Sequence, residues 1–111
     1  MKILACDTAL GACSVAVLDG EKTLAHRFEV MARGHAEALA PMVDDTMRES
    51  GLAFSQIDRL AVTTGPGTFT GQRVGLAFMR ALRVALKKPL LGLTTLETMA
   101  AAAQRETGIA L

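Results

Sequence analysis

Tryptophan and tyrosine are absent from this chain, and Phe alone supplies its 4% of aromatic residues. A core must therefore be built from Leu, Val, Ile, Ala and Met. Cysteine is scarce too: Cys6 and Cys13 fall in apolar strand patterns without flanking His or further Cys, so they cannot form a tetrahedral metal site and read as buried, reduced thiols. No apolar run approaches the ~18 residues that span a bilayer, and no apolar segment with a small-residue cleavage pattern follows Lys2. The expectation is a cytoplasmic protein with no membrane partner. Neither sign of charge dominates: the net charge is +1 with 21% charged residues, which argues against an RNA-binding module.

What is present suits a single α/β domain. Hydrophobic residues make up 50% of the 111 residues and mean hydropathy is +0.32, enough for a substantial core at a common domain size. Residues 2 to 7 are almost continuously apolar, as in a central strand covered on both faces. Residues 12 to 18 alternate, with Cys13, Val15 and Val17 on one face, and Asp19-Gly20 is a hairpin signal. In 23 to 30, Leu24, His26, Phe28 and Val30 line one side and Arg27 and Glu29 the other, which reads as an edge strand with its charge outward. Helical spacing runs from 35 to 50, interrupted awkwardly by Pro41 and closed by Gly51. A strand at 57 to 64, a helix at 71 to 87, a strand at 90 to 93 and a last helix from Thr94 or Thr95 to Thr107-Gly108 complete the order.

Between the fourth strand and the second helix lies Gly65-Pro66-Gly67-Thr68-Phe69-Thr70-Gly71-Gln72-Arg73-Val74-Gly75, with Thr70 the expected N-cap. A P-loop would need Lys and Ser/Thr after its last glycine, and here Gln72 and Arg73 follow Gly71. A dinucleotide fingerprint wants glycine where Thr70 stands and an acidic residue near Gly92, Leu93 and Thr94. The leading reading is a tight turn seating a helix on a sheet, with a phosphate role as the alternative.

The full string resembles the Gly-Pro-Gly-Ser-Phe-Thr-Gly-Leu-Arg-Ile-Gly signature of the TsaB (YeaZ) family, with Thr68 for Ser, Gln72 for Leu and Val74 for Ile. Ile3-Leu4-Ala5-Cys6-Asp7-Thr8 is similar to that family's opening strand, and Gly34-His35-Ala36-Glu37-Ala38-Leu39-Ala40-Pro41 to its His-Ser-Glu-x-Leu-x-Pro segment. The resemblance implies a ribonuclease H-like lobe of the actin, sugar kinase and Hsp70 type, βββαβαβα around a mixed five-stranded sheet. It would span 1 to 108, with 109 to 111 starting a second lobe that this sequence lacks. It also implies a non-catalytic partner in threonylcarbamoylation of tRNA adenosine 37. Such a subunit would be a homodimer in isolation, pair with a TsaD-type transferase and a TsaE-type ATPase, and meet tRNA only through the complex.

The residues themselves supply little chemistry, and no catalytic, cofactor-binding or metal residue is assigned. A two-metal nuclease needs several carboxylates, and only Glu37 joins Asp7, which reads as the cap of its own turn. TsaD-like proteins carry His-x-x-x-His, whereas His26 and His35 are nine apart on different elements, so His35 reads as structural and a glycoprotease-like hydrolase or a nucleotide-binding lobe stays the alternative. No histidine stands near Ser14 in sequence to make it a nucleophile. Arg73, Arg80, Arg83 and Lys87 form one stripe, a solvated face or a contact for an acidic partner or RNA backbone. On the second helix Val74, Ala77, Phe78, Ala81, Val84 and their neighbours sweep an apolar arc of roughly 220°, more than one sheet face covers. Gly75, Met79 and Leu82, with Leu39, Val43 and Met47 of the first helix, are the expected partner interface.

Overall fold

The computed structural model describes residues 1–8, 12–20, 22–30, 35–65 and 69–94. The strands are β1 (Lys2–Asp7), β2 (Ala12–Asp19), β3 (Lys22–Val30), β4 (Arg59–Gly65) and β5 (Leu90–Thr94); the helices are α1 (His35–Ser50) and α2 (Phe69–Leu86), with a 3-10 turn at Phe54–Gln56. They form one mixed five-stranded sheet in the order β3-β2-β1-β4-β5. β1, β2 and β3 pair antiparallel, while β1, β4 and β5 run parallel. The expected last helix and residues 109 to 111 lie outside the described residues.

Alternation decides the core. Leu4, Cys6, Cys13, Val15, Val17, Leu60 and Val62 turn to one sheet face and are met there by Leu39, Met42, Val43 and Met47 of α1 and Met79 of α2. Both described helices thus cover a single face. The expectation that β1 is covered on both sides is therefore met, among the described residues, on one side only.

The N-terminal hairpin departs from the expected pattern for a definite reason. A regular hairpin closed at Asp19 and Lys22 would put Leu24, His26 and Phe28 on the core side with Cys13, Val15 and Val17. Instead the β2–β3 register slips between Val17 and Leu18, so Val15 pairs with Arg27 and Ser14 with Phe28. One extra residue in a strand turns everything beyond it to the other face. Arg27 now faces α1, where it bonds Glu49 at 3.4 Å, and Ala25 is buried, while Phe28 and Val30 are exposed.

The helix boundaries follow local chemistry. α1 runs through Pro41, and Gly51 closes it with φ 77°, the left-handed conformation that glycine adopts without cost. α2 begins at Phe69, so Thr70 stands inside its first turn and is not its cap. β4 starts two residues later than its apolar run suggested, because Asp58 is held outside the strand: its amide donates to the Lys2 carbonyl at 2.8 Å and its carboxylate accepts the Lys2 amide at 2.8 Å. That clamp aligns the start of β4 with β1. The Lys2 amide holds the Asp58 carboxyl below its usual pKa.

Candidate functional site

Ligands of open α/β sheets collect outside the carboxyl ends of parallel strands. Here those ends are Asp7 and Thr8 after β1 and Thr63 to Gly65 in β4. Cys6 pairs with Val62, so the next residues, Asp7 and Thr63, are neighbours, and Thr63 Oγ1 donates to Asp7 Oδ1 at 2.6 Å. Asp7 is thus held across the sheet by β4; the turn it was expected to cap, 9 to 11, lies outside the described residues.

Thr8 is 1% exposed, and what covers it is α2. A Cβ built on Gly75 would run into Thr8 Oγ1 and stand 3.2 Å from its Cγ2 and 3.4 Å from its Cβ. The last glycine of the eleven-residue string therefore lets the helix backbone close on the end of β1. This supports the turn that seats a helix, at its helix side; Pro66, Gly67 and Thr68 lie outside the described residues, while Gly65 ends β4 and Phe69, Thr70 and Gly71 open α2.

A second polar cluster sits on the sheet face away from the helices. Ser14 pairs with Asp7 in the β1–β2 register, and its Oγ lies 3.2 Å from His26 Nε2. Ala5, Ala16 and Ala61 floor the groove beside them, whose volume is about 440 Å³, with Asp7, Thr63 and Thr23 on its walls. Reading along the chain misses this pair because the regular hairpin would have set Arg27, not His26, on the face of Ser14. Only the bulge brings them together. A serine nucleophile also needs a group that orients its imidazole and donors for the oxyanion. Asp7, the nearest candidate, spends Oδ1 on Thr63.

Metal and thiol chemistry find little support. Among the described residues no three His, Cys, Asp or Glu side chains gather into a metal site. His35 opens α1; His26 lies across the sheet on β3. Burial pushes the Cys6 thiol up to about 12, with Cys13 and Asp7 adding to it, and burial raises Cys13 as well. Neither is a reactive thiolate.

The expected partner interface needs correction. Met79 is 0% exposed, and Leu39, Val43 and Met47 join it in the core. Gly75 faces Thr8, and Leu82 is half-buried against the core. The sheet and α1 together cover that part of the α2 arc, so these side chains are already occupied within the chain. What the arc leaves outside is Ala77, Ala81, Val84 and Ala85, with Val84 77% exposed. Arg73, Arg80, Arg83 and Lys87 are exposed around them. No helix among the described residues is long and apolar enough to cross a membrane.

Comparison with known proteins agrees with this architecture. A family model described as TsaD: tRNA N6-adenosine threonylcarbamoyltransferase matches residues 27–111. The chain is 43% identical over 108 residues to the tRNA threonylcarbamoyladenosine biosynthesis protein TsaB of Escherichia coli (strain K12), which covers 97% of this chain and 46% of that protein. The solved structure of YeaZ from Pseudomonas aeruginosa superposes with a TM-score of 0.88 at 41% identity, over 97% of this chain and 52% of that one. A ROK hexokinase from Thermus thermophilus matches with a TM-score of 0.64 at 22% identity, over 95% of this chain and 38% of its own, a likeness of fold alone. The chain spans about half the length of the curated relatives it matches.

Proposed function

The chain belongs to the TsaB (YeaZ) family, and from that premise we propose that it takes part in tRNA threonylcarbamoyladenosine biosynthesis as a non-catalytic partner subunit. In this reading residues 1 to 108 are the first lobe of a two-lobed, cytoplasmic protein. It pairs with a TsaD-type transferase that carries out transfer to adenosine 37, together with a TsaE-type ATPase, and reaches tRNA only through them. Alone, it is a homodimer that gives way to the heterodimer when the transferase is present.

The observation that carries the reading is what the junction of β1, β4 and α2 is used for. The place where a related fold would hold a ligand is spent on internal packing, Thr63 on Asp7 and Gly75 on Thr8. The outer surface of α2, by contrast, carries small apolar side chains within a basic rim and buries them against nothing in the described chain. An apolar strip with a charged border is the usual anatomy of a docking face.

Reconstitution tests the role. TsaD-type and TsaE-type subunits with unmodified tRNA and the substrates of the transfer are incubated with and without the chain, and the tRNA nucleosides are quantified. Threonylcarbamoyladenosine should form only when the transferase is present and should rise when the chain is added. Formation by the chain alone, or a yield indifferent to the chain, contradicts the proposal.

A further inference from the structure

β3 is the longest strand of the sheet, nine residues from Lys22 to Val30, and it stands at the sheet's edge. Beyond the bulge its pairing with β2 is regular from Ala25 to Val30, so over about 20 Å every second residue turns its N–H and C=O away from the sheet. Among the described residues no strand pairs with them. The usual defences of an edge are missing from this stretch, which carries neither Lys nor Pro and leaves Phe28 57% and Val30 81% exposed. A second feature runs alongside. Between β3 and α1 lies a groove of about 420 Å³ whose polar wall is acidic, with Glu29 from the strand and Glu37 and Asp45 from the helix. Arg27, which also lines it, is answered by Glu49 at 3.4 Å, whereas none of the three carboxylates takes part in an ion pair among the described residues.

We propose that the β3 edge and this groove together bind an extended, lysine- or arginine-bearing segment of a partner protein, which adds to the sheet as a further strand beside β3. The inference concerns a different side of the molecule from the outer face of α2 and stands apart from the partner-subunit reading.

The chemistry of the groove chooses the occupant. A single metal ion does not fit, because the three carboxylates do not gather closely enough to ligate one. A nucleic acid is repelled by the same charges. They are spread instead like the side chains of an extended chain. Glu37 and Asp45 stand on α1 about 12 Å apart along its axis, and residues i and i+4 on one face of a strand are separated by about 13 Å. Two cations four residues apart on the incoming strand therefore match the two helical carboxylates. Pro41, on the groove wall between them, has no N–H for the regular helical bond to the Glu37 carbonyl, which leaves that oxygen without its helical donor. Main-chain bonds to an edge strand give affinity whatever the sequence, and the acidic wall adds selectivity. The opposite edge of the sheet lacks such a wall: β5 has five residues and follows Lys87 and Lys88, which repel the same segment. A second copy of β3 is a poorer occupant, since a two-fold pairing would bring the Glu29 of each copy beside the acidic groove of the other.

Fluorescence anisotropy at low salt tests the site. The probe is the fluorescein-labelled hexapeptide Lys-Val-Lys-Val-Lys-Val, compared with Glu-Val-Glu-Val-Glu-Val and with the lysine peptide N-methylated at every residue, which keeps its charge but cannot pair as a strand. Each peptide is titrated with the parent chain and with a double variant, Glu37→Lys with Asp45→Lys, whose folding is confirmed by circular dichroism. The parent should bind the lysine peptide, and the double variant should bind it roughly tenfold more weakly. The glutamate and N-methylated peptides should lose at least as much. No anisotropy change with the lysine peptide at ~1 mM chain overturns the proposal, as does binding that the double variant keeps within roughly twofold. Equal binding of the N-methylated peptide overturns strand addition. A dimer of the parent that Val30→Lys dissolves, with no peptide bound, would give the edge to a second copy and overturn it too.

Discussion

Replacing Gly75 with alanine separates a packing role for the glycine string from any other. In most helix interiors this change is stabilising, because alanine improves on glycine by ~0.5–1 kcal/mol through backbone entropy. Here the new methyl would collide with Thr8 Oγ1 and press on Cγ2 at 3.2 Å. Thr8 is 1% exposed and sits at the end of a central strand, so it has little room to withdraw. Adding a methyl to a filled site costs ~1–3 kcal/mol. Subtracting the propensity gain leaves a net loss centred on ~1 kcal/mol, within a span of roughly 0–2.5 kcal/mol. For a domain of this size, each kcal/mol lowers the melting temperature by roughly 4–8 °C. Urea denaturation followed by circular dichroism reads the change directly. A second arm adds Thr8→Ser, which removes Cγ2: combined with Gly75→Ala it should cost less than the two single changes summed, because the residues are in contact. Gly75→Ala that stabilises by the ~0.5–1 kcal/mol of an ordinary helix interior would refute the seat, as would strict additivity with Thr8→Ser.

Thr63→Val deletes the hydroxyl that donates to Asp7 at 2.6 Å and should destabilise by about 1.5–3 kcal/mol, the usual worth of a hydrogen bond to a charged group, measured by the same titration. Cys6 and Cys13, buried and with raised thiol pKa values, should resist iodoacetamide at pH 8 in the native protein and both react once the chain is unfolded; rapid native labelling would contradict their place in the core. Because the native pKa of Asp58 is lowered, its stabilisation is present above the usual carboxylate range and lost as pH falls through it, below about pH 4. Asp58→Asn should accordingly narrow its stability gap to the parent as the buffer is acidified. Glutamate at the fully buried Met79 should unfold the chain, whereas Val84→Glu on the outer face should leave the circular dichroism spectrum of the folded chain unchanged.

The fold was legible because its signals are local. Alternation in 12 to 18, the 3.6-residue rhythm of 35 to 50 and the glycines at 20 and 51 each act within a few residues. The succession of elements from β1 to β5 and the first helix came out as expected for that reason. What escaped reading depends on registers and on neighbours distant in sequence. The bulge between Val17 and Leu18 leaves no mark in composition, yet it turns Arg27 toward α1 and pairs Ser14 with His26. The width of the apolar arc on α2 correctly signalled two covered sides, but its pattern could not say that α1 is the second cover. Met79 was therefore assigned to a partner, although it lies at the centre of the core. Gly75 was expected at a partner interface, whereas it faces Thr8 at the end of β1.

The proposal that this chain is a partner subunit, acting through the outer face of α2, meets its most direct test in the mass of the complex it forms. The chain is mixed with a TsaD-type transferase and passed over a sizing column with light-scattering detection, alongside the Val84→Glu variant. The account predicts a peak at the sum of one chain and one transferase for the parent, and separate peaks for the variant. Parent and transferase that elute apart, or a Val84→Glu variant that binds as the parent does, would contradict it.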